Sequence, residues 1–377
     1  MATTETKKID FIDLKAQQRR IRTSLDQRIA KVLDHGAYIM GPEIAELEGV
    51  LAKYVGVKHC IACASGTDAL LMPLMAYGIG PGDVMFTSPF TFIATAEVVA
   101  LLGASVVYVD IDPKTYNIDP AKLDESITKF LKNPAGKKAK GIIPVDLFGQ
   151  TAEYDPIEQI AKKHGLFVLQ DAAQSFGAIY RGKKAGSSGD VGATSFFPAK
   201  PLGCYGDGGA IFCNDDGMMQ KLRSIRVHGQ GSDKYNNIRI GINGRLDTMQ
   251  AAILLAKMEI FEEEIGLRNK VAARYSEKLK GKIVTPFIEK HCISAWAQYS
   301  LQTEHRDEML KKLKSRGVPT AVYYPKPLHL QDAFKHLGYS RGDFPVSERI
   351  ADSIFSIPMH PYLNEPDQDY IVNAILE

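Results

Sequence analysis

The chain has 377 residues, of which 45% are hydrophobic and 24% are charged, a composition typical of a protein with a large buried core. Its 46 basic and 44 acidic side chains leave a formal net charge of +2. This balance argues against nucleic acid or a membrane surface as a partner. The length favours one large domain followed by a smaller one.

The cysteines are scattered and odd in number, which favours reduced thiols in a cytoplasmic protein over a disulfide framework. Residues 1–8 lack the apolar middle of a signal peptide, and no apolar run is long enough to cross a bilayer. Cys60 and Cys63 have the CxxC spacing of metal sites. Their apolar surroundings indicate a strand, however, and residues three apart on a strand face opposite sides. We therefore expect no metal site.

Two amphipathic helices are predicted first, over 14–33 and from Gly41-Pro42 onward, separated by the helix-ending Gly36. Strand-like and helix-like segments then alternate. The predicted strands are 60–64, 84–89, 106–111, 141–148, 166–171, 191–197 and 209–213, and the predicted helices between them are 66–77, 93–102 and 156–163.

Short, nearly all-apolar strands that alternate with helices predict an α/β fold with a mainly parallel sheet covered by helices on both faces. The lysine-rich segment 132–140 is expected to be a solvated loop. One long helix is predicted from 247 to about 275, and a smaller α+β domain after Gly281. We place the two domains at 1–255 and 256–377.

Lys200 lies between two prolines, after an apolar run and before a glycine-rich segment. Pro201 disfavours helical backbone at Lys200, which predicts a loop at the end of a strand. Such a place suits a catalytic amine. By itself the pattern fits an ordinary surface lysine better than a catalytic one.

Residues 64–70 form a small-residue turn that enters a predicted helix. Backbone N–H groups and hydroxyls at a helix N-terminus suit a phosphate. The alternative is a plain N-cap, in which Ser65 or Thr67 caps the helix and nothing is bound.

Asp171 closes an apolar strand and is followed by small residues. A buried carboxylate there needs a cationic or N–H partner, either a structural ion pair or the protonated ring nitrogen of a cofactor. An anion turn, a strand-end Asp and a loop Lys are the parts that bind pyridoxal 5′-phosphate. Phe90 and Phe92 could stack on its ring or belong to the core.

Four motifs occur in the order Ser-Gly-Thr-Asp-Ala-Leu (65–70), Pro-Phe-Thr-Phe (89–92), Asp-Ala-Ala-Gln-Ser (171–175) and Ser-Phe-Phe-Pro-Ala-Lys-Pro-Leu-Gly (195–203). This ordered set resembles the DegT-type nucleotide-sugar aminotransferases, which are fold-type-I pyridoxal-phosphate enzymes. The resemblance runs from 11–14 to 357–361 and implies an enzyme, a homodimer with shared active sites, and L-glutamate as amino donor.

The resemblance also implies roles for individual residues. Lys200 would be the Schiff-base amine and proton carrier, and Asp171 would keep the pyridine nitrogen protonated. The remaining cofactor-binding residues would be Gln174 over the ring, Phe92 stacked on it, Gly66, Thr67 and Ser195 at the phosphate, and Asn243 reaching the phosphate from the neighbouring subunit.

Segments 203–209, 243–247 and 261–265 resemble a subgroup that acts on UDP-2-acetamido-2-deoxy-3-oxo-D-glucuronate and serves bacterial surface polysaccharide (O-antigen) synthesis. In that subgroup Arg245 would pair with the uronate carboxylate and Tyr324 would contact the sugar. The alternative for Arg245 is a structural salt bridge with Asp247 or another neighbour.

Three other functions fit parts of the sequence. A pyridoxamine-dependent sugar dehydratase would carry His in place of Lys200. A non-catalytic regulator would not need the complete residue set. The third rival is the same transamination on a different 3-keto or 4-keto nucleotide sugar. Asp146 and Tyr323 depart from the family pattern without a clear consequence, and His329 is expected to pack rather than catalyse.

Overall fold

The structure is a computed structural model that describes residues 9–233 and 235–377. The prediction that residues 1–8 contain no signal peptide lies outside this range. The helices are α1 (Leu14–His35), α2 (Pro42–Val55), α3 (Gly66–Ala76), α4 (Ala94–Leu101), α5 (Pro120–Lys132), α6 (Tyr154–His164), α7 (Asp216–Arg226), α8 (Thr248–Met258), α9 (Phe261–Leu279), α10 (Arg306–Ser315), α11 (Pro345–Ser353) and α12 (Glu365–Leu376). Short 3₁₀ turns occupy Leu147–Gly149, Leu328–Leu330 and Asp332–Leu337.

The strands are short, and many are buried throughout. They are β1 (His59–Cys63), β2 (Asp83–Thr87), β3 (Ser105–Tyr108), β4 (Lys138–Ile143), β5 (Phe167–Asp171), β6 (Ile179–Tyr180), β7 (Lys183–Lys184), β8 (Val191–Ser195), β9 (Gly209–Cys213), β10 (Cys292–Ile293), β11 (Tyr299–Gln302) and β12 (Ile354–Ile357).

A seven-stranded sheet in the order β1-β9-β8-β5-β4-β2-β3 forms the centre of the fold. The five adjacent strands β3, β2, β4, β5 and β8 are parallel, and β9 is antiparallel to both β1 and β8. The predicted mainly parallel α/β sheet is therefore confirmed. Parallel strands run in one direction, so their carboxyl ends gather at one edge, where ligands bind in such sheets.

Strand β1 shows how the sheet is covered on both faces. Cys60 packs into the cluster formed with α2 and α8, whereas Cys63 packs into the cluster formed with α3, α4 and α7. The two thiols thus lie on opposite faces, as the strand spacing predicts. All five cysteines are free and buried.

One helix was not predicted, and another was predicted wrongly. The segment 120–132 forms α5, whose start is set by Pro120 and by Asp119, which accepts from the N–H groups of Ala121 and Lys122. Strand β4 then begins at Lys138, so the expected lysine-rich loop is shorter than predicted.

The helix expected from 247 to 275 is two helices, because the chain departs from helical geometry at Ile260, with φ −117° and ψ −1°. The new start brings Phe261 into the core, stacked on Phe176 at 5.5 Å between ring centroids. It also places Glu262 to Glu264 in a first helical turn, where carboxylates are favourable.

The C-terminal part has its own core, formed by apolar residues of α9, α12, β11 and β12. The chain also returns to the large unit, since β10 pairs with β6. The division into 1–255 and 256–377 stays a prediction. No helix within the described ranges is long and apolar enough to cross a membrane.

Candidate active site

A cavity of about 750 Å³ opens at the carboxyl ends of β1, β5 and β8. This is the position at which ligands bind in open α/β sheets. Eight of the residues selected from sequence line it: Gly66, Thr67, Phe92, Asp171, Gln174, Ser195, Lys200 and Tyr324.

The N-terminus of α3 forms one end of the cavity. Ser65 caps the helix, and its hydroxyl accepts from the N–H of Asp68 at 3.0 Å. The N–H groups of Gly66 and Thr67 lie in the first turn and have no intrahelical acceptor. A Cβ atom at Gly66 would lie 2.5 Å from Cβ of Ser195, so only glycine allows this close approach. The turn is an N-cap that also presents N–H donors to the cavity.

Asp171 ends β5 and is buried against the cavity floor. Its Oδ2 accepts from Oγ1 of Thr95 at 2.8 Å, and its Oδ1 accepts from the N–H of Ala173 at 3.2 Å. Burial raises the pKa of Asp171, while the Thr95 hydroxyl, the Ala173 N–H and the charge of Lys200 act in the opposite direction. A cationic group in the cavity would stabilise this carboxylate.

Lys200 follows β8 in a turn closed by a hydrogen bond from its N–H to the carbonyl of Phe197 at 2.8 Å. The predicted loop at the end of a strand is thus observed, and the side chain lines the cavity. Burial lowers the pKa of Lys200, and the negative charge of Asp171 partly restores it. A lowered pKa increases the fraction of neutral amine, the form that acts as nucleophile or base.

Lys257 supports the Lys200 loop from the protein interior, a contact that sequence reasoning missed. Its ammonium donates to the carbonyl of Gly203 at 2.5 Å and lies 4.4 Å from the ring centroid of Tyr205. The side chain is completely buried, and burial lowers the pKa of Lys257 to about 8. The loop that carries Lys200 is therefore fixed at its far end.

Gln174 joins the two halves of the cavity wall. Its Oε1 accepts from the N–H of Phe148 at 2.9 Å, and its Nε2 donates to the hydroxyl of Tyr324 at 3.2 Å. Phe92 is 54% exposed and offers its ring to the cavity, whereas Phe90 is fully buried in the core. Sequence reasoning also missed Thr95, Asp207, Gln298 and Gln331 in the lining.

Asn243 and Arg245 do not line the cavity of a single chain. Their segment lies close to the phosphate-type turn, since the carbonyl of Gly244 accepts from the N–H of Ala64 at 3.0 Å. Asn243 is exposed, and the buried Nε of Arg245 makes no hydrogen bond within the described residues. Within the described ranges Arg245 and Asp247 form no ion pair.

His329 is buried outside the cavity, and its Nε2 hydrogen-bonds Oε1 of Glu348 at 3.0 Å. This contact matches the packing role expected for it. Tyr323 lines the cavity beside Tyr324.

Residues 19–376 match the DegT/DnrJ/EryC1/StrS aminotransferase family. The chain belongs to this family. It is 55% identical to the UDP-2-acetamido-2-deoxy-3-oxo-D-glucuronate aminotransferase of Pseudomonas aeruginosa, over 97% of this chain and 99% of that protein. It is also 42% identical to a pleiotropic regulatory protein of Geobacillus stearothermophilus, over 98% of each chain.

Solved structures agree with this family assignment. A DegT/DnrJ/EryC1/StrS aminotransferase from Brucella abortus superimposes with a TM-score of 0.95 at 52% identity, over 97% of this chain and 98% of that chain. NtdA from Bacillus subtilis, solved with bound PMP, superimposes with a TM-score of 0.87 at 28% identity, over 100% of this chain and 86% of that chain. The predicted fold-type-I architecture and aminotransferase class are confirmed.

Proposed function

We propose that this aminotransferase uses pyridoxal 5′-phosphate to move an amino group from L-glutamate to C3 of a UDP-linked 3-keto sugar. The proposed acceptor is UDP-2-acetamido-2-deoxy-3-oxo-D-glucuronate, in bacterial surface polysaccharide synthesis. One observation carries the proposal: a single cavity holds Lys200, Asp171 and the N-terminal turn of α3. The name of the relative with 55% identity supports the acceptor.

The residues present fit this cofactor. The first-turn N–H groups at Gly66 and Thr67, with Ser195 held close by the missing Cβ of Gly66, suit a phosphate. The buried Asp171 carboxylate suits a protonated pyridine nitrogen, and Phe92 suits the face of a ring. Gln174, which also lines the cavity, would lie over the ring.

The cofactor, when bound, supplies an electron-withdrawing ring that carries the amino group from donor to acceptor. The chain supplies the proton transfers. Lys200 Nζ, in its neutral form, accepts a proton from the α-carbon of the donor and later returns one to C3 of the sugar. Asp171, in its ionised form, would keep positive charge on the ring nitrogen.

We further propose a homodimer in which Asn243 and Arg245 reach the partner's cavity. Asn243 is exposed and Arg245 partly exposed, and they follow Ile238 and Ile240, which are 57% and 85% exposed, as expected for a surface that a second copy covers. Arg245 would bind the uronate carboxylate through its planar guanidinium, and Tyr324 would contact the sugar. The cytoplasmic location and the absence of nucleic-acid, membrane and metal partners stay predictions.

The first experiment is the visible absorption spectrum of the purified protein before and after L-glutamate, with Lys200→Ala in parallel. We expect a visible band that L-glutamate removes, that the keto-uronate restores, and that Lys200→Ala alters. No band after incubation with pyridoxal 5′-phosphate would overturn the proposal and favour the non-catalytic regulator. A band restored only by other nucleotide keto-sugars would replace the proposed acceptor.

A further inference from the structure

Asp146 is a completely buried carboxylate directly behind the cavity floor. Its four hydrogen-bond donors are neutral groups: the N–H of Ala152 at 2.9 Å, the hydroxyl of Tyr154 at 2.8 Å, Nε2 of Gln170 at 2.8 Å and the hydroxyl of Ser175 at 2.7 Å. Each oxygen of this buried carboxylate therefore has its hydrogen-bonding capacity satisfied.

The two oxygens of Asp146 serve different parts of the structure. Oδ1 accepts from Ala152 and Tyr154, at the start of α6. Oδ2 accepts from Gln170 and Ser175, which lie immediately before and after the segment 171–174. One oxygen atom therefore holds both ends of the loop that carries Asp171 and Gln174.

The Gln170 amide cannot flip to face Asp146 with its oxygen without losing its other hydrogen bonds. Its Oε1 already accepts from the N–H groups of Gly186 at 2.9 Å and Ser188 at 3.1 Å. The amide NH₂ must then face an acceptor, and Asp146 Oδ2 is that acceptor.

Backbone contacts extend the same connection to the cavity. The N–H of Asp146 donates to the carbonyl of Asp171 at 3.0 Å, and the N–H of Asp171 donates to the carbonyl of Pro144 at 2.9 Å. Two residues beyond Asp146, the N–H of Phe148 donates to Oε1 of Gln174. The segment 144–148 thus holds Asp171 through its backbone and Gln174 through its side chain.

We propose that Asp146 is a positioning residue that fixes the 171–174 loop so that Asp171 and Gln174 face the cofactor. The inference rests on the proposed function. An asparagine at this position would keep one acceptor oxygen and would put an NH₂ group in front of the two donors of the other oxygen. With that NH₂ in the place of Oδ2, both ends of the loop lose their acceptor, and displacement of Asp171 by about 1 Å is enough to weaken its pairing strongly.

The test measures binding of pyridoxamine 5′-phosphate to the cofactor-free protein by equilibrium dialysis, because this ligand needs Asp171 and forms no bond with Lys200. We expect Asp146→Asn to weaken binding about tenfold or more. Ser175→Ala, which frees one loop end, should weaken it more than Tyr154→Phe, which removes a donor from the other oxygen. Thermal unfolding of each variant is measured alongside.

Asp110→Asn is the matched control for a structural loss. Asp110 is another buried carboxylate, and it accepts from Val346 and Ser347 at the start of α11, outside the cavity. It should lower the unfolding temperature and leave the affinity within about twofold. If Asp146→Asn does not fold, the difference in affinity between Ser175→Ala and Tyr154→Phe tests the positioning role.

Two results would overturn the positioning role: parent-like affinity in both Asp146→Asn and Ser175→Ala, or an equal loss in Ser175→Ala and Tyr154→Phe. A parent protein that binds neither pyridoxal 5′-phosphate nor pyridoxamine 5′-phosphate would instead remove the proposed function itself.

Discussion

The hydroxyl of Thr95 donates to Oδ2 of Asp171 across 2.8 Å, although the two residues are 76 positions apart in the chain. A hydrogen bond to a buried charged group contributes about 1.5–3 kcal/mol. Here it favours the ionised carboxylate and so opposes burial, which raises the pKa of Asp171.

Thr95→Val keeps the shape of the side chain and removes the donor. We expect the glutamate half-reaction to slow roughly tenfold, because Asp171 then holds positive charge on the ring nitrogen less well. Single-turnover absorbance measures this rate. The control is Thr151→Val. Thr151 is also buried, but its hydroxyl contacts Cys292 outside the cavity. Equal rates for Thr95→Val and the parent would remove the role given to this hydrogen bond.

Gly66→Ala tests the close approach of α3 to β8. The added Cβ would lie 2.5 Å from Cβ of Ser195, so the helix start or the serine must move. We expect cofactor affinity to fall by about tenfold or more, as measured by equilibrium dialysis. Gly49→Ala on α2, where the new atom meets nothing within 4 Å, should keep the affinity and add roughly 0.5–1 kcal/mol of stability. Retained affinity in Gly66→Ala would contradict the phosphate assignment.

Lys257 gives a prediction about stability and pH. Burial lowers the pKa of Lys257 to about 8 in the folded protein, whereas an unfolded lysine titrates near pH 10.4. Between about pH 8 and 10.4 the unfolded chain binds more protons, so this residue makes the free energy of unfolding rise with pH by about 3 kcal/mol. Below pH 8 Lys257 is protonated in both states, so the destabilisation caused by burying its charge is fully present and does not change with pH.

Lys257→Met should remove that rise, which urea unfolding at pH 7.5, 9 and 10 would show as a difference from the parent. The groups that face Lys257 are the carboxylate of Glu264, the thiol of Cys204 and the ring of Tyr205. Lys53→Met on the exposed side of α2 is the matched control. Parallel pH profiles for parent and Lys257→Met would show that the ammonium is not desolvated.

Arg245→Lys tests the proposed acceptor. Lysine keeps the charge and loses the bidentate geometry, so we expect kcat/KM for the keto-uronate to fall by about one to two orders of magnitude. The glutamate half-reaction should not change. A UDP-linked keto-sugar without the carboxylate serves as control, since the variant should use it as the parent does. Equal damage to both half-reactions would remove the carboxylate assignment.

Ile240→Asp tests the proposed dimer. A carboxylate on a covered apolar surface is expensive, so the variant should shift towards monomer in sedimentation velocity and lose activity with it. Leu131→Asp on α5 is a control at another exposed apolar side chain. A dimer that survives Ile240→Asp unchanged would place the interface elsewhere.

The sheet could be predicted because its strands are apolar and their ends are marked by polar or small residues. Strands β1, β5, β8 and β9 appear close to their expected bounds. The break between α8 and α9 could not be predicted, because it depends on the packing of Phe261 against Phe176. Helix α5 did carry local signals, in Asp119-Pro120 and the spacing of Leu123 and Ile127, that the sequence reading did not use.

Asp171 could be selected from sequence because a carboxylate that closes an apolar strand needs a partner, and Lys200 because it belongs to the ordered set of motifs. Thr95 and Lys257 could not. Each is an ordinary residue in its own helix and gains its role from a contact far away in the chain, with Asp171 and with Gly203.

The placement of β9 also determines when the cavity can form during synthesis. Among the residues that the structure describes, strand β1 has β9 as its only hydrogen-bonded neighbour in the seven-stranded sheet, and β9 is made roughly 150 residues later. The turn at Gly66 therefore leaves the ribosome long before the strand that fixes it beside Ser195. Until Cys213 has emerged, the nascent chain carries an unpaired apolar strand at its N-terminal side. A chaperone that covers β1 during this interval would keep the strand from mispairing until β9 is available to complete the sheet.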